Sequence, residues 1–478
     1  MSCRQLMKAV FNVFRAWSAS PCRGWILIFL LANALIDLDY GTNPESRFAT
    51  LAAMVEDHSF RIDHYKDLTI DWARTPDGHY YSNKAPGPML LAYPAFWVID
   101  RIMTAGKTDR AARDEARLAH RRLTLRLLSF LFQTLPFAVV VLVGLSWLEG
   151  GGASRAALHL SCVAMLFGNT AALFMSTYFG HAMAATCVLA LCLLLIKRWY
   201  AWSGLAYGLA LLADYGSTVL LPGFLAVVLL QEPAKKWWGS FTRIAAGSLL
   251  PGILWVIYHV SCFGGPLVLP SRYQNPMFVD AARNHILGIF NLFPDPTAVA
   301  QLLFGFRRGI LWSQPWLLVI LAACLWPRML RAGLSGANRE AVLVLRRFLL
   351  PGLFLLLWMN ASFGEWQGGS TPGPRYLCSV FPAFGLLAGV LYDAFPGWLR
   401  RLMLGTTAVS AAFWIVAYST HILVPVNETM WGFTLGVLLN ETSYSSLVRF
   451  AGLCLAFQWP LFRTWGGIHA KVPKRGDA

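Results

Sequence analysis

The stretch AALHLSCVAMLFGNTAALFMSTYFGHAMAATCVLALCLLLI, residues 156–196, contains no Asp, Glu, Lys or Arg in 41 positions. As one continuous helix it would be about 60 Å long, roughly twice the thickness of the hydrocarbon core of a bilayer. The segment must therefore fold back once. It predicts two consecutive membrane-spanning helices joined by a turn.

Other uncharged apolar runs repeat this pattern along the chain. They cover residues 127–148, 244–271, 309–327, 348–364, 376–392 and 402–427. The 478-residue chain is 56% hydrophobic and only 13% charged, which excludes an ordinary soluble domain. We predict an all-α polytopic membrane protein with about 12 transmembrane helices, forming a single integral membrane domain over residues 1–478.

The net charge of +16 comes mostly from short basic clusters beside apolar runs. Such clusters are typical of cytoplasmic loops that face anionic lipid, so no nucleic-acid partner is expected. With the N-terminus inside, every later basic cluster falls on the cytoplasmic side of a bacterial inner membrane. The exception is Arg101–Arg126, with eight Lys and Arg. This topology predicts three periplasmic segments, residues 41–123, 264–306 and 363–376.

The first outer segment carries a carboxylate that is a candidate catalytic base. Glu45 lies in the first turn of an expected amphipathic helix, with Asn43 as its cap. Near the membrane boundary a carboxylate could act as a base toward a lipid-linked substrate and an aqueous acceptor. An acid at this place in a helix can also simply complement the helix dipole. Asp37 and Asp39 are rival acids at the same boundary.

The stretch YYSNKAPG, residues 80–87, places Lys84 before an apolar segment. A lysine there can bind phosphate or merely extend toward lipid headgroups. A lysine that only extends toward lipid headgroups does not require the asparagine, proline and glycine that surround Lys84. Because Pro86, Pro88 and Pro94 interrupt a regular span, we expect residues 86–104 to form an interfacial helix.

The third outer segment, FGEWQGGSTPGPRYL, combines glycines with Glu365, Trp366 and Arg375. A glycine-rich backbone beside an arginine could bind a phosphate, and Trp366 could stack on a sugar. An ordinary loop with a boundary arginine would look the same. His181 lies at the fold-back of the long apolar run. There it could instead have only a structural role, by forming hydrogen bonds within the turn between two helices. Asp214 lies between two predicted spans, where an acid is costly.

A metal cofactor is not indicated by the sequence. The first outer segment contains several His and Asp, but their spacing matches no metal-binding motif. The nine cysteines lie mostly within apolar runs and include no CxxC pair, so we expect buried hydrophobic residues. Walker, GxSxG and HExxH motifs are absent.

Four short motifs occur in an order that resembles one family. ESRF at 45–48 is similar to an acidic D-E-x-R-Y-like motif, and NKAP at 83–86 to an E-K-P-P-like lysine motif. FGHA at 179–182 and GGSTPGPRY at 368–376 follow. The chain thus resembles membrane glycosyltransferases of the C-type (GT-C) fold that use polyprenyl-phosphate sugars. The branch is the aminoarabinose-transferase and protein O-mannosyltransferase-like group.

The resemblance implies inverting sugar transfer from a polyprenyl-phosphate donor to a glycan, lipid or protein acceptor at the periplasmic face. It implies a catalytic base at Glu45 or Asp39, with the choice open because Pro44 occupies the place of the leading aspartate. The implied substrate-binding residues are Arg47, Tyr81, Lys84, His181, Glu365, Trp366 and Arg375.

Two other classes stay open from the sequence. A ligase or polymerase of lipid-linked glycans would share arginine-rich outer loops. A transporter or flippase would instead place ionisable residues near the bilayer midplane, often within inverted repeats. We detect no repeat in this sequence, and the ionisable residues concentrate in the outer segments.

Overall fold

The computed structural model describes residues 18, 20–36, 38, 41–279, 286, 288–326, 334, 336–420, 423–440 and 444–469. Its α-helices, in chain order, are α1 (Arg23–Leu35), α2 (Thr42–Glu56), α3 (Gly87–Met103), α4 (Arg110–Ala119), α5 (Arg121–Ser129), α6 (Leu135–Gly150), α7 (Arg155–Leu166), α8 (Thr170–Leu173), α9 (Gly180–Ile196), α10 (Tyr200–Ala213), α11 (Leu221–Gln231), α12 (Trp237–Phe263), α13 (Pro296–Phe304), α14 (Ile310–Ser313), α15 (Trp316–Leu325), α16 (Gly336–Ser362), α17 (Phe381–Tyr392), α18 (Gly397–Ser419), α19 (Met430–Asn440) and α20 (Tyr444–His469). Two strands, β1 (Trp72–Arg74) and β2 (Tyr80–Ser82), form an antiparallel hairpin.

Five helical segments are long and apolar enough to cross a membrane. They are Arg121–Gly150, Ala234–Phe263, Asn338–Ser362, Arg375–Tyr392 and Gly397–Ser419. Several further apolar helices have 10–17 residues, and a helix of 14 residues is only about 21 Å long. The protein is therefore a multi-pass helical membrane protein, while the number of about 12 spans stays a prediction.

The predicted fold-back of residues 156–196 is present in the structure. Helix α7 ends at Leu166, the short helix α8 lies in the turn, and α9 begins at Gly180. Helix α9 then packs against α10, which packs closely against α12. The α10–α12 crossing requires Gly204, because a Cβ there would overlap the carbonyl oxygen of Ile244.

The first outer segment contains the two helices expected there. Helix α2 buries the predicted face of Phe48, Leu51, Ala52 and Val55. Its cap was wrongly predicted: the helix begins at Thr42, after Gly41 with a φ of 60°. Asn43 instead accepts a hydrogen bond from Arg47 one turn later.

Helix α3 corresponds to the interfacial helix predicted near residues 86–104. Its Met89 and Phe96 are buried, whereas Trp97, Val98 and Ile102 are exposed. A helix with one apolar face against the protein and another exposed fits a position at the membrane surface.

Ion pairs neutralise at least half of the eight positive charges in the basic run 101–126, the exception to the predicted topology. Four of its arginines, at spacings of three and four, share one face of α4 and the start of α5. Each binds a carboxylate: Arg110 with Asp57, Arg113 with Glu56, Arg117 with Asp100, and Arg121 with Glu45. Charges paired in this way within an outer segment contribute little to orienting a membrane protein.

Arg117 is the centre of this network and is only 3% exposed. Its guanidinium lies 2.6 Å from Asp100, 2.7 Å from Glu56 and 2.8 Å from Asp114. Hydrogen bonds from Arg113 and Arg117 lower the pKa of Glu56 to about 2. The network joins α2, α3 and α4, and Arg117 is the ion-pair partner of the buried Asp100.

We expect Arg117→Ala to destabilise the protein, because Asp100 would stay buried without a counter-charge. Removing one partner of a buried ion pair costs about 3–5 kcal/mol. Thermal unfolding of the detergent-solubilised protein, followed by tryptophan fluorescence, would measure the loss. Lys107→Ala, at an exposed position of the same segment, is the matched control. Identical melting curves for the two variants would contradict the role of this network.

Candidate functional site

A cavity of about 590 Å³ lies where the three outer segments meet. Arg47 and Lys84 line it from the first segment, Phe290 from the second and Arg375 from the third. Helices α9, α10 and α16 contribute the wall on the membrane side. The cavity therefore combines positive charge with a position at the ends of apolar helices.

Lys84 is positioned by the β1–β2 hairpin. Strand β2 ends at Ser82, whose hydroxyl lies 2.6 Å from Ser46 on α2 and accepts a hydrogen bond from the Lys84 amide. The Ser82 carbonyl also accepts from the Tyr258 hydroxyl at 3.3 Å. These bonds fix the chain just before Lys84 against two helices, so its side chain enters the cavity from a rigid base.

Asp71 holds the Lys84 ammonium in place. The Lys84 Nζ lies 2.8 Å from one Asp71 oxygen, and the Thr42 hydroxyl donates to the other at 2.9 Å. Burial alone would raise the pKa of Asp71, but the charge of Lys84 holds it below its usual value. Burial also lowers the pKa of Lys84, and Asp71 opposes that shift. An ammonium has three donors, so two stay available for another anion.

Arg47 is a second, almost completely buried cation of the cavity. One nitrogen of its guanidinium donates to the carbonyl and to the side-chain oxygen of Asn43, while Nε has no partner. Burial lowers the pKa of Arg47 to about 10, so it keeps its charge at neutral pH. Gly180 makes room for it: a Cβ there would lie 2.8 Å from the guanidinium and would overlap the carbonyl oxygen of Ala213.

Arg375 is the third cation, held by aromatic rings. Its guanidinium lies 4.9 Å from the Tyr376 ring centre and 5.7 Å from that of Phe179, and it donates to the Tyr376 hydroxyl at 3.0 Å. Its Nε is buried without a partner. The Tyr376 ring in turn contacts Phe363 and His181 edge to face.

His181 and Asp214 form a hydrogen-bonded pair in the cavity wall. His181 begins α9 and Asp214 follows α10, so the packing of these helices brings their ends together. The His181 Nδ1 lies 2.7 Å from Asp214, which also accepts from the Gly216 amide. With Nδ1–H donating to a carboxylate, Nε2 carries the lone pair. No residue that the structure describes binds this Nε2.

The glycine-rich loop of the third segment differs from the predicted phosphate site. Gly368 and Gly369 have φ values of 74° and 64°, which favour glycine. The carbonyls of Gln367 and Gly369 accept hydrogen bonds from the buried Arg308 guanidinium. The loop backbone therefore binds a cation of the protein, and its contribution to the cavity comes from Arg375.

The structure brings together Arg47, Lys84, His181 and Arg375 of the predicted site. The remaining described candidates, which do not line the cavity, are Glu45, Tyr81, Glu365 and Trp366. Asp39 and its rival Asp37 lie outside the described residues, so their roles stay predictions.

Three of these four candidates have partners elsewhere in the structure. Glu45 faces Arg121 at 3.0 Å, where burial raises the pKa of the carboxyl and Arg121 opposes that shift. Tyr81 packs against Phe263 and accepts a hydrogen bond from Arg61. Trp366 packs on a small apolar cluster that includes Leu302.

Sequence reasoning missed several polar residues of the cavity, among them Asn360 and Ser362. Both are more than nine-tenths buried at the end of α16. A detectable signal was present: Asn360 is the one asparagine in the uncharged run 348–364. Asp214 had been noted for its unusual place, but its pairing with His181 could not be read from the sequence.

We expect Gly180→Ala to disrupt the cavity, since a methyl group would displace either Arg47 or the end of α10. The variant should unfold at a lower temperature than the wild type, and the protection of Arg47-containing peptides in hydrogen exchange should fall. Gly252→Ala, on α12 with no atom within 4 Å of the added methyl, is the matched control. Unchanged melting and exchange in Gly180→Ala would show that this close approach is not required.

No protein-family model and no curated protein matches the chain. Its structure is similar to ArnT from Cupriavidus metallidurans bound to undecaprenyl phosphate, with a TM-score of 0.47 and 15% identity over 92% of this chain and 76% of that one. It is also similar to the oligosaccharyltransferase AglB from Archaeoglobus fulgidus in complex with an inhibitory peptide and a dolichol-phosphate, with a TM-score of 0.43 and 12% identity over 88% of this chain. The chain spans 58% of that protein's length.

Proposed function

We propose that the protein is an inverting glycosyltransferase that takes a sugar from a polyprenyl-phosphate donor at the periplasmic face of a bacterial inner membrane. The acceptor is a hydroxyl group of a glycan, lipid or protein. The observation that carries the proposal is the convergence of Lys84, Arg47 and Arg375 in one cavity.

The three cations suit a lipid phosphate both as ligand and as leaving group. Charged donors bind phosphate oxygens strongly, and each of the three retains donor capacity beyond its protein partners. In the transfer step negative charge grows on the departing phosphate, and fixed cations stabilise it most in a site shielded from water. The proposed chemistry therefore needs no divalent metal.

Part of the remaining cavity wall is apolar. Its apolar lining includes Val219, Leu269, Ile289, Phe290, Leu292, Trp358 and Met359. Trp358 is 41% exposed and Leu292 is 63% exposed, so this wall reaches the outside of the helix bundle. A polyprenyl chain could lie along it while its phosphate meets the cations.

The His181–Asp214 pair provides the base for this reaction in the described part of the chain. The acceptor oxygen attacks the anomeric carbon, and the bond from that carbon to the phosphate oxygen breaks. The acceptor proton passes to the free Nε2 of His181, and Asp214 stabilises the imidazolium that forms. The products are the glycosylated acceptor and polyprenyl phosphate. Asp39 stays the alternative base predicted from the sequence.

We expect Lys84→Ala to reduce binding of polyprenyl phosphate at least tenfold, because a buried charge-assisted hydrogen bond contributes about 1.5–3 kcal/mol. Lys84→Arg should retain part of the affinity. Binding would be measured by titrating the lipid into purified protein in detergent and recording thermal stabilisation, with Lys107→Ala as control. Equal affinity in Lys84→Ala and wild type would remove the main support for the proposed donor site.

We expect His181→Gln to lower the turnover number about 100-fold or more while leaving the affinity for polyprenyl phosphate nearly unchanged, as for loss of a general base. Turnover is measured as the release of polyprenyl phosphate from polyprenyl-phosphate sugars. A membrane extract supplies the acceptors, and EDTA is present. His79→Gln disrupts a matched His–Asp pair that does not line the cavity and should retain activity. Full activity of His181→Gln would exclude His181 as the base. Movement of the donor lipid across the membrane of vesicles without cleavage of the donor would indicate a flippase.

A further inference from the structure

A group of unpaired polar atoms lies in the same cavity, apart from the three cations. Both side-chain atoms of Asn360, the hydroxyl of Ser362 and the side-chain oxygen of Asn83 are buried and have no hydrogen-bond partner. All three residues line the cavity, and Asn360 is 1% exposed. Leaving such groups unsatisfied costs about 1–3 kcal/mol each, so this arrangement calls for a polar ligand.

The hydrogen-bonding capacity of this group matches sugar hydroxyls. The amide of Asn360 offers donors and an acceptor side by side, Ser362 offers one donor, and the Asn83 oxygen accepts. A hydroxyl both donates and accepts, so a pair of hydroxyls on one sugar ring can bond an amide at both ends. None of these three side chains carries a charge.

The carboxylates near the cavity already have hydrogen-bond partners within the protein. Among the residues that the structure describes, Asp214 is the acid lining the cavity, and it binds His181 and the Gly216 amide. Asp71 binds Lys84 and Thr42 and does not line the cavity. Among the described residues, an ammonium group on a sugar would therefore lie beside three cations and find no carboxylate without a protein partner, which is unfavourable.

We infer that Asn83, Asn360 and Ser362 bind the hydroxyl groups of a neutral donor sugar and that the cavity discriminates against an amino sugar. The inference rests on the proposed function and adds the substrate class to it. Asn360, at the end of α16, is the specificity-determining residue of this subsite.

Three lipids with the same polyprenyl chain and the same phosphodiester charge test the inference. They are a polyprenyl-phosphate hexose, a polyprenyl-phosphate amino sugar and polyprenyl methyl phosphate, which has no sugar. The hexose donor is expected to bind the wild-type protein at least tenfold more tightly than the other two. Asn360→Leu should remove this advantage while leaving the affinity for polyprenyl methyl phosphate unchanged, a result that a merely structural role would not give.

Two further variants keep the test decisive if Asn360→Leu does not fold. Asn360→Asp has nearly the same shape and adds a carboxylate, so it should bind the amino-sugar donor about tenfold more tightly than the wild type does. Ser362→Ala should weaken the hexose donor alone, and Phe354→Leu, on the exposed side of the same helix, should change none of the three affinities.

The outcomes separate this inference from the proposed function. A preference of the wild type for the amino-sugar donor, or an unchanged hexose advantage in the Asn360 variants, would overturn the neutral-sugar assignment and leave the phosphate site standing. Failure of all three lipids to bind would overturn the donor site itself, and the inference with it.

Discussion

The first outer segment depends on Arg117, a buried guanidinium surrounded by Asp100, Asp114 and Glu56. Residues 57–86, which include the β1–β2 hairpin, connect α2 to α3, and the two helices pack through Phe48 and Phe96. The Arg117 network adds a second contact between them, because each of its three carboxylates comes from a different helix. Since α2 carries Arg47 and the chain entering α3 carries Lys84, the geometry of the cavity follows from this ion-pair network.

The protein separates two uses of charge within one segment. In the Arg117 network, acids and bases are paired, and the gain is stability. In the cavity, three cations face a single lining acid among the described residues, which is unfavourable for the isolated fold. An excess of positive charge in the cavity is expected of a site that binds an anion, because the ligand supplies the missing negative charge. The paired charges of the Arg117 network have no such need for a ligand.

The sequence predicted a helical membrane protein, and it singled out three cations that the structure places in one cavity. Uncharged runs of bilayer length leave few alternatives to membrane helices, and Lys84, Arg47 and Arg375 lie in outer segments where charge must have a purpose. The ion pair of Glu45 with Arg121 could not be predicted from the position of Glu45 on α2, because Arg121 lies 76 positions later in the chain. Asn360 was overlooked because an amide in an apolar run has no charge to mark it. Trp366 was assigned to the site by residue type, although it is half-buried against a small apolar cluster and does not line the cavity.

The manner in which Arg308 is bound has a consequence for how an anion approaches the site. Its guanidinium is held by backbone carbonyls on both sides, from Gln367 and Gly369 and from Val424 and Pro425, and these carry no net charge. The hydrogen bonds are satisfied, but the positive charge is not cancelled, and a guanidinium does not lose its proton at any ordinary pH. Together with Arg375 on the same glycine turn, it gives this side of the molecule a permanent positive potential. The rate at which anionic lipids associate should therefore fall as ionic strength rises, even where the final affinity is set by contacts deeper in the cavity.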